Sequence, residues 1–373
     1  MLHARTWAEV DLGALEHNLG QVRTEVGDDV DIMLVVKADA YGHGAVPVSW
    51  HLLDKGVTAL GVGDSTEALE LRDAGITAPI IILGAVVRGE MEDVIRGDIH
   101  VTVHSGDRVR ALRRLLGRTG PSVGVHLKVD TGLGRLGCHP DRALGIAREV
   151  RRSRRLRLEG ISTHLAQVEL DGGKLAELQL RRFRKVLRDL DEEGLLPPWR
   201  HVHASNAMLS RLPNAFNLAR PGIAIYGIDP HGRGDATLAP ALRWCTQIVF
   251  LKDHRRGARI GYGATWRAGR KTRVATLPVG YNDGYRFAFG NRAHVLVRGR
   301  RCPVIGRVSM DYTTVDVTDV PGAEVGDVVT LLGSDGDDAI PATELAGLAD
   351  TIPYEILCGI GRRVKRRYMG GGG

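Results

Sequence analysis

The sequence predicts an α/β protein: an N-terminal (β/α)8 barrel of the TIM type followed by a C-terminal, mostly β domain. Three observations carry this. The chain has 373 residues, more than one hydrophobic core ordinarily supports, so two domains are expected. In its first part, short apolar, β-branched runs alternate with longer amphipathic stretches. Beyond Leu238 that rhythm gives way to short alternating runs separated by turn residues.

Taken in order, the apolar runs of the first part are 31–36, 59–62, 80–83, 99–103, 123–129, 158–162, 201–203 and 223–226, eight in all. Helix-like segments lie between them, among them 65–74 and 175–193. The first opens on Asp64-Ser65-Thr66-Glu67, residues suited to an N-cap, and stops at Gly75. Continuous apolar strands separated by helices argue for a parallel sheet covered on both faces. Eight units fit a closed barrel, whereas a doubly wound sheet more often has fewer strands. In a barrel the chemistry belongs at the C-terminal ends of the strands.

Residues 231–235 read as a linker, which places the domains at 1–235 and 236–373, with residues 3–10 expected to join the second domain. The strands expected there are 274–279, 294–298, 313–317 and 328–331, with a helix near 342–349 and a disordered tail at 370–373.

Composition narrows the function classes. Hydrophobic residues make up 43% of the chain, mean hydropathy is -0.11, and no apolar run approaches the length of a membrane span. The N-terminus has no apolar signal core, so a cytoplasmic protein is expected. Four dispersed cysteines form no C-x-x-C pair, which argues against a zinc knuckle or redox pair, and no metal site is expected. The net charge of +7 comes largely from arginine runs at 148–157 and 362–367. With aromatic content at 5% and no nucleic-acid module, a solvated basic face is the simpler reading than nucleic-acid binding.

Lys37 ends an apolar strand, in Val-Lys-Ala-Asp-Ala-Tyr-Gly-His-Gly (36–44). A lysine there points into the barrel mouth, where burial would depress its pKa and suit it to bond a carbonyl. Position alone fits a salt-bridged strand-end lysine equally well. The segment resembles the cofactor-binding signature of the alanine racemases. The resemblance runs nearly end to end, from Trp7-Ala-Glu-Val-Asp-Leu12 to Pro353-Tyr-Glu-Ile-Leu-Cys358.

It implies a barrel joined to a β domain, pyridoxal 5'-phosphate (PLP) held by Lys37, and an amino acid as substrate. Tyr41 would contact the cofactor phosphate. Arg220, in Ala-Arg-Pro-Gly-Ile-Ala-Ile-Tyr-Gly at the start of the expected eighth strand, would face the pyridine nitrogen. A guanidinium cannot accept the ring proton, so the ring stays neutral, which favours returning a proton to Cα over transamination. The backbone of Gly222 and Ile223 would meet the phosphate. His164 would link Arg220 to the catalytic tyrosine.

His203 would sit beside the ring, followed by Asn206. The family's His-x-x-Asn-Ser pattern here reads His203-Ala-Ser-Asn-Ala207, so Ala207 falls where a phosphate-binding serine is usual and Ser205 is expected to point elsewhere. Gly132-Leu-Gly-Arg-Leu-Gly137 has the letters of a dinucleotide loop, but it follows the fifth strand and lacks the acidic residue downstream. It resembles instead a racemase motif whose Arg135 binds the substrate carboxylate. Lys128 matches a lysine carbamylated in some members.

In the second domain, Tyr262 (in Gly-Tyr-Gly-Ala-Thr-Trp) would be the base opposite Lys37, since racemisation needs proton exchange on both faces of Cα. The family supplies it from a neighbouring subunit, so a head-to-tail homodimer with two shared sites is expected. Tyr281, Arg286, Arg307, Met310, Asp311 and Tyr354 would narrow the access channel and contact the substrate. The expected activity is two-base racemisation of alanine, with D-alanine supplied to the cell wall. The alternatives are a serine or broad-specificity racemase and a non-catalytic PLP carrier. A decarboxylase fits less well, since Ser309 and Tyr262 do not match its usual cysteine.

Overall fold

The computed structural model describes residues 4–168, 170–210, 212, 216–229 and 237–370. The linker read at 231–235 and the tail beyond Gly370 lie outside the described residues.

Strand β1 (Thr6–Asp11) comes first and leaves the barrel alone. Strands β2 (Asp31–Val35), β3 (Ala59–Val62), β4 (Ile80–Ile82), β5 (His100–Val103), β6 (Val123–Lys128), β7 (Leu156–Ser162), β8 (Trp199–Ala204) and β9 (Leu218–Arg220) follow. They close in that order into a parallel barrel, β9 pairing back onto β2. Their burial explains their composition, since helices cover the outside and side chains fill the inside. The helix Ser65–Asp73 shows how local chemistry sets boundaries: the Asp64 carboxylate accepts the N–H of Glu67 at 3.0 Å.

One barrel strand is misplaced in the sequence reading. The eighth is Leu218–Arg220, not 223–226. The latter run is a series of turns, with Ile225, Tyr226 and Gly227 each donating to the carbonyl three residues back. Its apolarity reflects burial, since Ile223 to Tyr226 are all at most 1% exposed, and a short buried run does not declare its conformation. Arg220 therefore ends its strand rather than starting it.

The second domain holds β10 (Leu242–Gln247), β11 (Phe250–His254), β12 (Arg259–Ile260), β13 (Trp266–Arg267), β14 (Thr272–Leu277), β15 (His294–Val297), β16 (Arg300–Pro303), β17 (Thr313–Asp316), β18 (Val328–Asp335), β19 (Asp338–Ile340) and β20 (Lys365–Met369). The main sheet runs β16-β15-β18-β10-β1-β20, with β19 on β18. β1 thus lies in this sheet, antiparallel to β10 and parallel to β20. A smaller sheet, β11-β14-β17, packs beside it. Short helices Ala342–Leu348 and Pro353–Cys358 return the chain to the barrel. Among the described residues no helix is long and apolar enough to cross a membrane.

Candidate active site

The C-terminal ends of the barrel strands open into a cleft of about 630 Å³. Lys37 reaches it from the end of β2, Lys128 from β6, His164 from just beyond β7, and Arg220 from β9. Arg135, Tyr41, Gly222, Ile223, Asn206 and Tyr354 also line it. Lys37 is exposed to this mouth, not buried as the sequence reading has it.

The turn after Lys37 is unusual. Ala38, Asp39, Ala40 and Tyr41 all have φ of 52–54°, a left-handed helical turn made without glycine. That conformation costs roughly 1–2 kcal/mol per residue and persists only where neighbours dictate it. They do. The Glu67 carboxylate accepts the N–H of Ala38 at 2.6 Å and of Gly63 at 2.7 Å, and Asp39 accepts from Ala45 N–H at 2.7 Å. From the second domain, Arg366 donates to the Gly42 carbonyl at 2.9 Å and the Tyr368 hydroxyl to the His43 carbonyl at 3.1 Å.

Arg220 is buried at the cleft floor and anchored through its two terminal nitrogens. Its Nη2 donates to the carbonyls of Thr163 (3.0 Å) and Val202 (3.1 Å) and approaches His164 Nδ1 at 3.4 Å. Its Nη1 meets His201 Nδ1 at 3.0 Å. Burial pulls its pKa down to about 10, still protonated at neutral pH. Burial, then Arg220, Lys128 and Arg135, push His164 down to about 3, so its imidazole is neutral. Burial, with Arg220 and Arg135, brings Lys128 to about 7.

One corner of the cleft suits an anion. The hydroxyl of Ser205 accepts the N–H of Gly222 at 2.9 Å and of Ala224 at 3.2 Å, which leaves its own hydrogen to donate. A Cβ on Gly222 would lie 2.7 Å from the Tyr41 hydroxyl, so glycine lets that phenol close the corner. Ser205 therefore does not point elsewhere, and the expectation that Ala207 leaves the corner without a hydroxyl is corrected. His203 is corrected too. The pairing of β8 with β9 shifts register between His201 and Ala204, and such a bulge re-aims side chains. His201 turns into the barrel. His203 does not line the cleft; its Nε2 meets the Leu212 carbonyl at 3.1 Å and its ring packs near Phe216. Strict alternation along β8 could not reveal this, because the bulge breaks it.

The loop 132–137 is no phosphate loop. The Asp130 carboxylate already accepts the N–H groups of Gly132, Leu133 and Gly134 at 2.9–3.2 Å, which throws Arg135 toward the cleft.

Tyr262 is 74% exposed on the second domain and does not line the cleft of its own chain. Arg307, distant in sequence, comes near it in structure, against Gly263 and over the Phe287 ring at 5.8 Å. Tyr281 and Met310 are exposed on adjoining loops, the N–H of Tyr281 donating to the Ser309 carbonyl at 3.0 Å. Asp311 pairs with Arg363 at 2.9 Å. Arg286 pairs with Glu355 at 2.8 Å, beside Tyr354, whose ring centroid is 5.9 Å from that of Tyr41. Of this group the single-chain structure brings only Tyr354 into the cleft.

A family model for the alanine racemase N-terminal domain matches residues 10–230, and one for the alanine racemase C-terminal domain matches residues 241–368. The chain belongs to the alanine racemase family. It is 45% identical to the alanine racemase of Symbiobacterium thermophilum, covering 98% of this chain and 97% of that one. It is 41% identical to that of Halothermothrix orenii, covering 97% and 96%. Among solved structures it resembles alanine racemase of Clostridium difficile with a TM-score of 0.94 at 33% identity, covering 100% and 97%. It also resembles alanine racemase of Bacillus anthracis, solved with bound L-Ala-P, with a TM-score of 0.93 at 34% identity, covering 100% and 97%.

The alanine racemase site asks for a group with one anionic end, one reactive carbonyl and one ring acceptor, and these residues fit it. The Tyr41–Ser205–Gly222 corner could take the anion and Lys37 the carbonyl, and Arg220, lining the same cleft, can only donate.

Proposed function

We infer that the chain is a PLP-dependent racemase that interconverts L- and D-alanine, working in the cytoplasm as a homodimer that supplies D-alanine for the cell wall. The observation that supports it most is the convergence of Lys37, Arg220 and the Ser205–Gly222 corner on one cleft. PLP, when bound, supplies the electron-withdrawing ring that makes the substrate Cα–H acidic.

The chain's own residues do the rest. Lys37 holds the cofactor and exchanges a proton with Cα on one face. Arg220, cationic and anchored through Nη1 and Nη2, offers the ring nitrogen a donor without surrendering a proton, which keeps electron density at Cα, where reprotonation regenerates an amino acid. The Ser205 hydroxyl, held by the Gly222 N–H, and Tyr41 hold the phosphate, with Gly222, Ile223 and Asn206 beside them. Counted from His201 rather than His203, the pattern reads His-x-x-Ala-Ser, with Ser205 as the phosphate serine and Ala204 where asparagine is usual. Arg135 takes the substrate carboxylate with Met310 above it, and Lys128 behind the arginine orients it once carbamylated; a pKa of about 7 leaves the neutral amine that this modification needs.

The second proton comes to the opposite face from Tyr262 of a second copy. Its exposure on a surface that also presents Tyr281, Phe287 and Met310 suits an interface. Tyr281, Arg286, Arg307 and Asp311 would then border the channel.

Loss of optical rotation from L-alanine in the presence of PLP tests the activity. Tyr262→Phe should lower L-to-D turnover about 10²- to 10⁴-fold, the usual worth of one positioned acid–base group, with cofactor absorbance kept. An unchanged rate in that variant overturns the two-base scheme.

A further inference from the structure

Below the cleft floor the barrel interior is divided. On one side Met33, Ala59, Ile81 and Leu218 form a small apolar cluster. On the other a file of imidazoles descends from Arg220. Arg220 Nη1 meets His201 Nδ1 at 3.0 Å, His201 Nε2 meets His126 Nδ1 at 3.1 Å, and His126 Nε2 meets His100 Nδ1 at 3.2 Å. His126 and His201 are fully buried and His100 nearly so. Trp199 packs against both His100 and His126.

Barrel interiors are ordinarily filled with branched aliphatic side chains. Here two glycines vacate the space instead. A Cβ on Gly160 of β7 would overlap the His126 ring, and one on Gly124 of β6 would overlap His100. The file is a built feature of four strands, not a chance pairing.

Its direction is set from one end. A guanidinium can only donate, so His201 Nδ1 accepts and its proton sits on Nε2. That proton is donated to His126 Nδ1, which puts the His126 proton on Nε2, and the same step repeats at His100.

We propose that His201, His126 and His100 are positioning residues that act through Arg220: a one-way hydrogen-bond file that fixes the guanidinium and keeps an extra proton out of the cleft floor. A proton added at any Nδ1 would set two N–H groups face to face, and each tautomer flip that relieved the conflict would move it one ring closer, ending against Arg220. Each of the three links from Arg220 to His100 is made, and a buried polar file holds its order when its links are complete.

The surroundings agree. Around His100 stand Glu159, Arg157, Asp98 and Arg72, around His126 stand His100 and Arg220, and around His201 stand Arg220, His126 and Lys128. For all three rings burial, the largest cause, disfavours the cation; the arginine, histidine and lysine charges add to it at His126 and His201, while at His100 Glu159 and Asp98 oppose it and Arg157 and Arg72 support it.

The role given to Arg220 rests on the racemase reading; the order of the file does not. Two measurements separate them. Histidine side-chain ¹⁵N spectra of the PLP-loaded protein, assigned by single His→Gln variants, should show all three rings as neutral Nε2–H tautomers at pH 6 and pH 8. An imidazolium or an Nδ1–H form at any of the three overturns the file, whatever the activity. His126→Gln, whose amide both accepts and donates, should keep the His201 tautomer, the cofactor absorption band and kcat within about twofold of wild type. His126→Leu cuts the file and should alter the His201 spectrum, shift the cofactor band and lower kcat about tenfold, the loss of one net hydrogen bond. Equal effects of Gln and Leu on band and kcat would reduce the histidines to packing and refute the proposal. A wild-type chain with the expected tautomers but no racemisation would refute the racemase reading alone.

Discussion

Lys37→Ala and Tyr262→Phe should each cripple the enzyme, yet the two together in one dimer should restore it. Lys37 lines the cleft of its own chain while Tyr262, 74% exposed, does not. If each site takes its lysine from one subunit and its tyrosine from the other, a heterodimer of the two variants carries one intact site and one doubly altered site. A purified heterodimer with a different tag on each chain should therefore show about half the wild-type kcat per dimer. A freely exchanged equal mixture should show about a quarter, because about half of its dimers are mixed and half of their sites intact. Each parent homodimer has lost a group worth about 10²- to 10⁴-fold, so the restored signal stands far above background. The assay is L-to-D turnover at saturating PLP on the tag-purified species. A heterodimer no more active than its parents would refute the shared site.

Two further outcomes follow from the cleft. Ser205→Ala strands the N–H groups of Gly222 and Ala224 and removes a donor to phosphate; a buried donor left unsatisfied costs about 1–3 kcal/mol, so the melting temperature of the cofactor-free protein should fall and Kd for PLP should rise about tenfold, whereas Ala207→Ser should leave Kd unchanged, and a reversed result would restore the sequence-based placement of the phosphate hydroxyl. For Lys128 as the unmodified amine the folded pKa of about 7 lies below its ordinary 10.5, so the unfolded chain binds more protons between those values and this group's contribution to stability rises with pH across that window; chemical denaturation should show the stability of wild type rising relative to Lys128→Met from pH 7 to pH 10, and a wild type that instead falls relative to the variant would contradict the burial of that amine.

Much of this was legible from sequence because the barrel advertises itself. Buried parallel strands must be apolar along their length, and seven of the eight could be read from that. Lys37 and His164 could be placed because they end apolar runs and strand ends converge by geometry, whereas Lys128 and Arg220, the latter read at a strand start, were placed by the family resemblance. What stayed hidden had physical causes. The eighth strand was confused with the buried turns at 223–226, since burial rather than conformation dictates their residues. His203 was given the role that the structure suits to His201, and Ser205 was passed over, because a bulge in β8 inverts the expected facing. The imidazole file was invisible for another reason: its members lie on three strands, and only closure of the barrel brings His100, His126 and His201 into line.

The left-handed turn behind Lys37 is gripped by Arg366 and Tyr368, residues of β20 in the second-domain sheet. A barrel alone, however well its eight strands have closed, lacks these two side chains. Docking of the second domain therefore bears on the set of this lysine, since a barrel without it would have to keep this costly turn wound on the barrel-side bonds of Glu67 and Asp39 alone.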